Sequence, residues 1–163
     1  MLTHPSVERV LRALTDLGAH APTDRVRLLD DSARTAAQAA AQLGVEVAQI
    51  ANSLVFSADG APLLVLASGG HRVDTGKVAA LVGADHVERA TPEFVRTHTG
   101  FAIGGVAPVG HPEPLRTLVD VELQRYDEVW AAAGHPHTVF PTTFDELLRL
   151  TGGQPADVGL VDA

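Results

Sequence analysis

The residues best suited to chemistry in this sequence form a loop without an obvious nucleophile. The thirteen-residue run Thr99-Gly100-Phe101-Ala102-Ile103-Gly104-Gly105-Val106-Ala107-Pro108-Val109-Gly110-His111 contains four glycines and one proline. Glycine bends the main chain and lets other atoms approach its N–H and C=O groups closely. Such a loop can hold an oxyanion, a phosphate or a ribose hydroxyl with main-chain groups alone. A tight turn between two strands would use the same residues, so composition leaves both uses open. The run is neither G-x-G-x-x-G nor a Walker loop, and the usual nucleotide motifs gain no support.

Three other segments invite a chemical reading. In Ser68-Gly69-Gly70-His71-Arg72-Val73-Asp74-Thr75-Gly76-Lys77, Lys77 is the single lysine among 12 basic residues, the rest being arginine. A lysine is a compact charge whose pKa burial lowers, but a solvated helix lysine is the plain alternative. Asn52-Ser53 stands at the start of an apolar run, where polar residues either contact a ligand or cap and turn the chain. His135-Pro136-His137 would place two imidazoles on one side of a strand, as a metal site needs. The proline argues for a loop instead, and no third ligand stands at helical spacing. There is no H-E-x-x-H and no G-x-S-x-G, so covalent catalysis by a side chain is not indicated.

Local signals predict the elements that must position these groups. Ser6 can cap a helix with Val7, Val10, Leu11, Leu14 and Leu17 on one face, stopped by Gly18. Val26, Leu28 and Leu29 suggest a short strand, and Thr35 with Gln38 forms a capping box for a helix ending near Gly44. Residues 45–51 read as a second short helix. Two apolar runs, Ser53-Leu54-Val55-Phe56 and Leu63-Leu64-Val65-Leu66, flank Asp59-Gly60, a pair that favours the positive φ angles of a hairpin turn. Their continuous apolarity predicts a central place in the sheet. Asp74 can cap a helix through Val78, Leu81 and Val82 up to Gly83, and Thr91-Pro92-Glu93 opens another. Residues 118–121 and 129–132 read as strands, and Thr143 with Glu146 caps a last helix ended by Gly152-Gly153. Helices interleaved with antiparallel hairpins predict one mixed α/β domain over residues 1–163, not a doubly wound parallel sheet.

Composition narrows the function classes. The chain has 163 residues, 45% hydrophobic and 20% charged, which is long enough to bury a core and unlike a disordered chain. No apolar run approaches the roughly 18 residues of a membrane span. Met1-Leu2-Thr3-His4-Pro5 lacks the layout of an export signal, which predicts a cytoplasmic protein. With no cysteine, disulfides, thiol catalysis and cysteine–zinc sites are excluded. A net charge of -8 disfavours broad binding to a phosphate backbone, and 4% aromatic residues leave little for base stacking. The charge is uneven, since residues 68–116 are balanced and hold His71, His86, His98 and His111, whereas residues 117–163 are strongly acidic. A polyanion would dock on the middle third.

Several blocks, in order and spacing, resemble the YbaK / prolyl-tRNA deacylase family, free-standing relatives of the editing domain inserted in bacterial prolyl-tRNA synthetases. They are Arg34-Thr35-Ala36, Gln49-Ile50-Ala51-Asn52-Ser53-Leu54-Val55-Phe56, Arg72-Val73-Asp74-Thr75-Gly76-Lys77, the glycine loop, and Glu128-Val129-Trp130-Ala131-Ala132-Ala133-Gly134. The resemblance covers about residues 34–150. It implies a mixed α/β fold with a curved sheet, and hydrolysis of the ester joining a wrong small amino acid to tRNA, with no metal or other cofactor. It implies that Gly104 and Gly105 act through their main chain, that Asn52 takes part in catalysis, and that Pro108 holds the loop. Ser53, Lys77, Pro108, His111 and Gly134 are then expected around the substrate. The partners implied are the acceptor end of an aminoacyl-tRNA and a synthetase. Many members have lysine where Asn52 stands, so a non-catalytic binding module with the same fold is the competing expectation.

Overall fold

The computed structural model describes residues 4–19, 25–30, 35–70 and 72–159, so Arg34 and His71 lie outside the described residues. Helix α1 (Pro5–Asp16) starts earlier than Ser6 suggests. Pro5 presets the helical φ at the first position, and His4 becomes the cap, its ring nitrogen accepting from the Ser6 N–H at 3.1 Å. Strand β1 (Arg27–Leu28) follows, then α2 (Ala36–Leu43), which opens on the expected capping box of Thr35 and Gln38. The short helix expected over 45–51 shrinks to one 3-10 turn, Val47–Gln49, because Ile50 and Ala51 are drawn into strand pairing.

Strands β2 (Ile50–Ala58) and β3 (Ala61–Ser68) form the hairpin that Asp59-Gly60 announces, with φ of 52° and 89° at the two turn residues. Next come α3 (Thr75–Val82), β4 (Val87–Arg89), α4 (Pro92–Thr99), β5 (Arg116–Asp120), β6 (Val129–His135), β7 (Thr138–Thr142), α5 (Phe144–Thr151) and β8 (Gln154–Ala156). Val121, read from sequence as strand, instead enters a 3-10 turn that Asp120 caps by accepting from the Glu122 N–H.

All eight strands join one mixed sheet in the order β1-β7-β6-β2-β3-β5-β8, with β4 beside β2. The β2–β3 hairpin lies at its centre, as its apolar sequence predicts. Alternation along β3 sends Leu64 and Leu66 to one face and Leu63 and Val65 to the other. On the first face α1, α4, α5 and the loop after α4 pack against Leu64, Leu66, Ala131 and Phe140. On the second, α3 covers Leu63 and Val65 through Val78, while α2 places Ala40 against Ile50, Trp130 and Val139. Burying each large apolar side chain of this kind contributes about 1.5–3 kcal/mol. The sheet is thereby a rigid platform. No described helix is long and apolar enough to cross a membrane.

Candidate functional site

The site arises where the sheet splits. Strands β2 and β6 run parallel but pair at only two positions, Ile50 with Trp130 and Ala51 with Ala131. Further along the same edge, β4 pairs with Phe56 to Ala58. Residues 52–54 between them have no strand partner on that side. The Ile50 carbonyl faces β3, where the Gly69 N–H donates to it at 2.7 Å, and the Val55 carbonyl faces the other edge, accepting from Ala90 at 3.2 Å. Main-chain direction alternates along an antiparallel strand, so the Ser53 N–H and C=O turn into the opening.

A cavity of about 120 Å³ fills this split. Its floor is Ala51, Asn52 and Ser53 of β2 with Trp130 to Ala132 of β6, and its walls include Thr35, Ala36 and Ala39 at α2 and Gly104 and Val106 of the glycine loop. A smaller lobe of about 40 Å³ shares Ser53, Gly104 and Val106 and extends to Arg89 and Ile103. Among the described residues, no side chain lining the larger cavity is ionisable. Its polar side-chain groups are Thr35, Asn52, Ser53 and the Trp130 indole. Thr35 is occupied in capping α2. Asn52 is exposed at the rim, and its amide has no hydrogen-bond partner among the described residues.

The glycine loop reaches this cleft as a turn. The Gly105 N–H donates to the Ala102 carbonyl at 3.0 Å, and Gly104 has φ of 91°. That conformation is the third position of a type II turn, which strongly favours glycine. The Gly105 N–H is therefore committed to the turn, whereas the Gly104 N–H makes no hydrogen bond among the described residues. The loop's entry is fixed by Phe101, fully buried beneath the Arg9 guanidinium at 4.2 Å, and by Thr99, whose hydroxyl accepts from the Phe101 N–H. Its exit is fixed by His111, whose Nε2 donates to the Ala107 carbonyl at 2.8 Å. Burial pushes the His111 imidazole below its ordinary value; the Ala107 bond opposes this, and nearby Arg9 adds to it.

Several expected site residues lie elsewhere. Lys77 sits in the first turn of α3 and its ammonium donates to the Gly159 carbonyl at 2.7 Å and to Asp157 at 3.3 Å. It ties the segment after β8 to α3 and lines neither lobe of the cleft. Pro108 and His111 line a different hollow, with Leu17 and Leu150. Gly134 is packed under α1, where an added Cβ would stand 2.6 Å from the Ser6 carbonyl oxygen. Structure thus brings together Asn52, Ser53 and Gly104, commits the Gly105 N–H to the turn beside them, and gives Lys77, Pro108, His111 and Gly134 structural contacts away from the cavity.

His135-Pro136-His137 is the turn of the β6–β7 hairpin, and among the described residues no group of three or more His, Asp or Glu is arranged to hold a metal ion. Pro136 forms part of the cavity wall, and a Cβ on Gly105 would come within 3.1 Å of the His135 main chain. This hairpin buttresses the glycine loop. Sequence reasoning missed Pro136 and Trp130 as lining residues, although Trp130, the single tryptophan, was a visible signal. The arrangement can polarise a carbonyl and position water with neutral donors and acceptors. Among the described residues its lining holds the hydroxyl residues Thr35 and Ser53 and no ionisable side chain that could serve as a charged base.

The chain belongs to the family described as aminoacyl-tRNA editing domain, which it matches over residues 30–150. It is similar to a solved structure described as a candidate trans-editing enzyme for prolyl-tRNA synthetase, with a TM-score of 0.90 and 48% identity over 97% of this chain and 99% of that one. It is 33% identical to YwhH of Bacillus subtilis over 72% of this chain and 75% of that protein. It is also 38% identical to a proline–tRNA ligase of Nitratidesulfovibrio vulgaris, over 56% of this chain but only 16% of the ligase.

Proposed function

We propose that the protein is a trans-acting hydrolase that removes a wrongly attached small amino acid from tRNA, with proline tRNA as the carrier. The observation that carries this reading is that Gly104, whose N–H has no partner among the described residues, lines a small cavity with no ionisable side chain among the described residues. The water oxygen bonds to the ester carbonyl carbon, and charge develops on the carbonyl oxygen beside the Gly104 N–H. The carbon–oxygen bond to the ribose then breaks. The proton lost by water ends on the ribose oxygen, relayed by the neighbouring ribose hydroxyl, and the products are a free amino acid and intact tRNA. Catalysis of this kind rests on positioning more than on a reactive side chain.

Such an enzyme answers a limit of recognition. A synthetase pocket discriminates one methylene by only about 10–200-fold, so a second site of different shape removes the errors. The net charge of -8 implies weak contact with tRNA limited to the acceptor end, aided by a synthetase partner in the cytoplasm. Asn52 at the rim supports a role in orienting the acyl ester or the terminal ribose.

The neutral rim also favours a second reading, a module that binds an aminoacyl end without turning it over. An assay of the full chain over tRNAs mischarged with alanine, serine, threonine or cysteine, beside correct prolyl-tRNA, separates the two. Release of one or more wrong amino acids with prolyl-tRNA spared is the expected result. Binding without release from any of them would establish the module and overturn the enzyme.

A further inference from the structure

Helix α1 reaches the glycine loop through one half-buried side chain, Arg9, which lines neither lobe of the cleft. Its guanidinium lies over the Phe101 ring at 4.2 Å, and its Nη2 donates to the Thr99 carbonyl at 3.5 Å. Thr99 ends α4, so the cation meets the kind of carbonyl that a helix end leaves unpaired, at the negative end of the helix dipole. Room for the guanidinium comes from Gly100, where a Cβ would stand 2.7 Å from Nη2. The same side chain passes the far end of the loop. A Cβ on Gly110 would lie 3.8 Å from the Arg9 Cγ, and the His111 ring meets the Phe101 ring edge-on with centroids 6.1 Å apart. Entry and exit of the loop thus meet on one side chain.

Arginine is a costly residue for that place. Its Nε is inaccessible to solvent and has no hydrogen-bond partner among the described residues, a loss that an apolar side chain of similar length would avoid. A planar cation adds what an apolar chain lacks, because it holds the face of an aromatic ring and directs an N–H at a chosen carbonyl. We propose that Arg9 is a positioning residue for the hydrolysis: it clamps the neck of the glycine loop and so fixes the turn that carries the Gly104 N–H. This inference rests on the deacylase reading and adds to its site a residue of α1, which precedes the matched residues 30–150. Ala102, whose carbonyl closes the turn by accepting from the Gly105 N–H, follows Phe101 directly, so a shift of Phe101 passes to the turn across one peptide. A donor steadies a developing oxyanion only from the right position, and a misplacement of about 1 Å costs about 10²-fold.

If Arg9 served stability alone, its loss would lower Tm and leave the reaction unchanged below the unfolding transition. Arg9→Met removes the cation at similar length, and Arg9→Lys keeps a cation without the planar fork. Each is compared with the natural full chain, well below its own transition, on the mischarged tRNA that the natural chain hydrolyses fastest. We expect kcat to fall about 10- to 100-fold in Arg9→Met and about 3- to 10-fold in Arg9→Lys, with KM almost unchanged because Arg9 touches no substrate. A kcat within about twofold of the natural value in both variants, or a rise in KM alone, would overturn the proposal.

Amide hydrogen exchange reads the turn without any turnover. Exchange of the Gly105 N–H should quicken about tenfold or more in Arg9→Met relative to that of Val65 in the central strand β3, because the turn opens locally while the sheet does not. A Gly105 rate that rises no more than that of Val65 refutes the clamp whatever the hydrolysis rates show. If the natural chain hydrolyses no mischarged tRNA, the deacylase reading fails by itself, and the exchange ratio alone decides whether Arg9 holds the turn. Should Arg9→Met not fold, Arg9→Lys is judged by the same two measurements.

Discussion

Substituting alanine for Gly104 separates the direction of one peptide from the space around it. An added Cβ would meet Pro136 carbons at 3.8 and 3.9 Å, which is ordinary contact, so crowding is not the issue. The conformation is: φ is 91°, and an L-residue there costs roughly 1–2 kcal/mol. For a chain of this length each kcal/mol lowers Tm by about 2–4 °C, which predicts a fall of roughly 2–8 °C. The strain can be relieved by flipping the peptide between Ile103 and Gly104, which converts the turn from type II to type I. That flip reverses the Gly104 N–H, which the proposed reaction needs to face the ester carbonyl. Loss of one donor to a developing oxyanion lowers kcat by about 10²–10³. Single-turnover deacylation beside thermal unfolding measures both quantities on one preparation. A Tm reduced as expected with kcat within twofold of the natural protein would show that the Gly104 N–H stabilises the turn without touching the reaction.

Gly134→Ala should act on the fold, because its Cβ would lie 2.6 Å from the Ser6 carbonyl oxygen at φ of 97°; strain and overpacking together predict a loss of roughly 2–6 kcal/mol in a denaturant titration. Unchanged stability with weakened substrate binding would restore Gly134 to the site. His111→Gln should remove part of the protein's acid sensitivity. The folded-state pKa of His111 lies below its ordinary value of 6.5, so the unfolded chain binds the proton first and stability falls as pH drops below about 6.5. Unfolding curves from pH 7.5 to 5 should show a steeper loss for the natural protein than for the variant; parallel losses would contradict the assignment. Asn52→Lys should strengthen binding of an acceptor-stem RNA and steepen its dependence on log salt by about 0.7 for one added phosphate contact. An unchanged slope would mean that the position faces no phosphate.

Local rules carried much of the fold. Asp59-Gly60 specifies its hairpin through its own φ angles, and Thr35-Gln38, Asp74, Thr91-Pro92 and Thr143 set helix starts through bonds to neighbouring N–H groups. Such signals act over a few residues and can be read without knowing the rest of the chain. Strands β7 and β8 escaped because their evidence is long-range. Thr138 to Thr142 is a strand through pairing with β6, and Gln154 to Ala156 through parallel pairing with β5. The same competition turned Ile50 and Ala51 from helix to sheet, since their partners are Trp130 and Ala131, about eighty positions away.

For the site, residue types alone showed that main-chain chemistry in the glycine loop and polar groups at Asn52 and Ser53 were available, because those possibilities belong to the backbone and side chains themselves; the family resemblance singled out Gly104. They also determined the acidic charge and the absence of thiol chemistry. Whether the groups meet was decided by the tertiary structure. Divergence of β2 from β6 after two residue pairs opens the cavity, and it depends on where distant strands pair. Lys77 looks equally promising in one dimension, but its ammonium is held by Gly159 and Asp157 outside the cleft. A side chain's chemistry travels with its sequence, whereas its neighbours are set by the packing of the whole sheet.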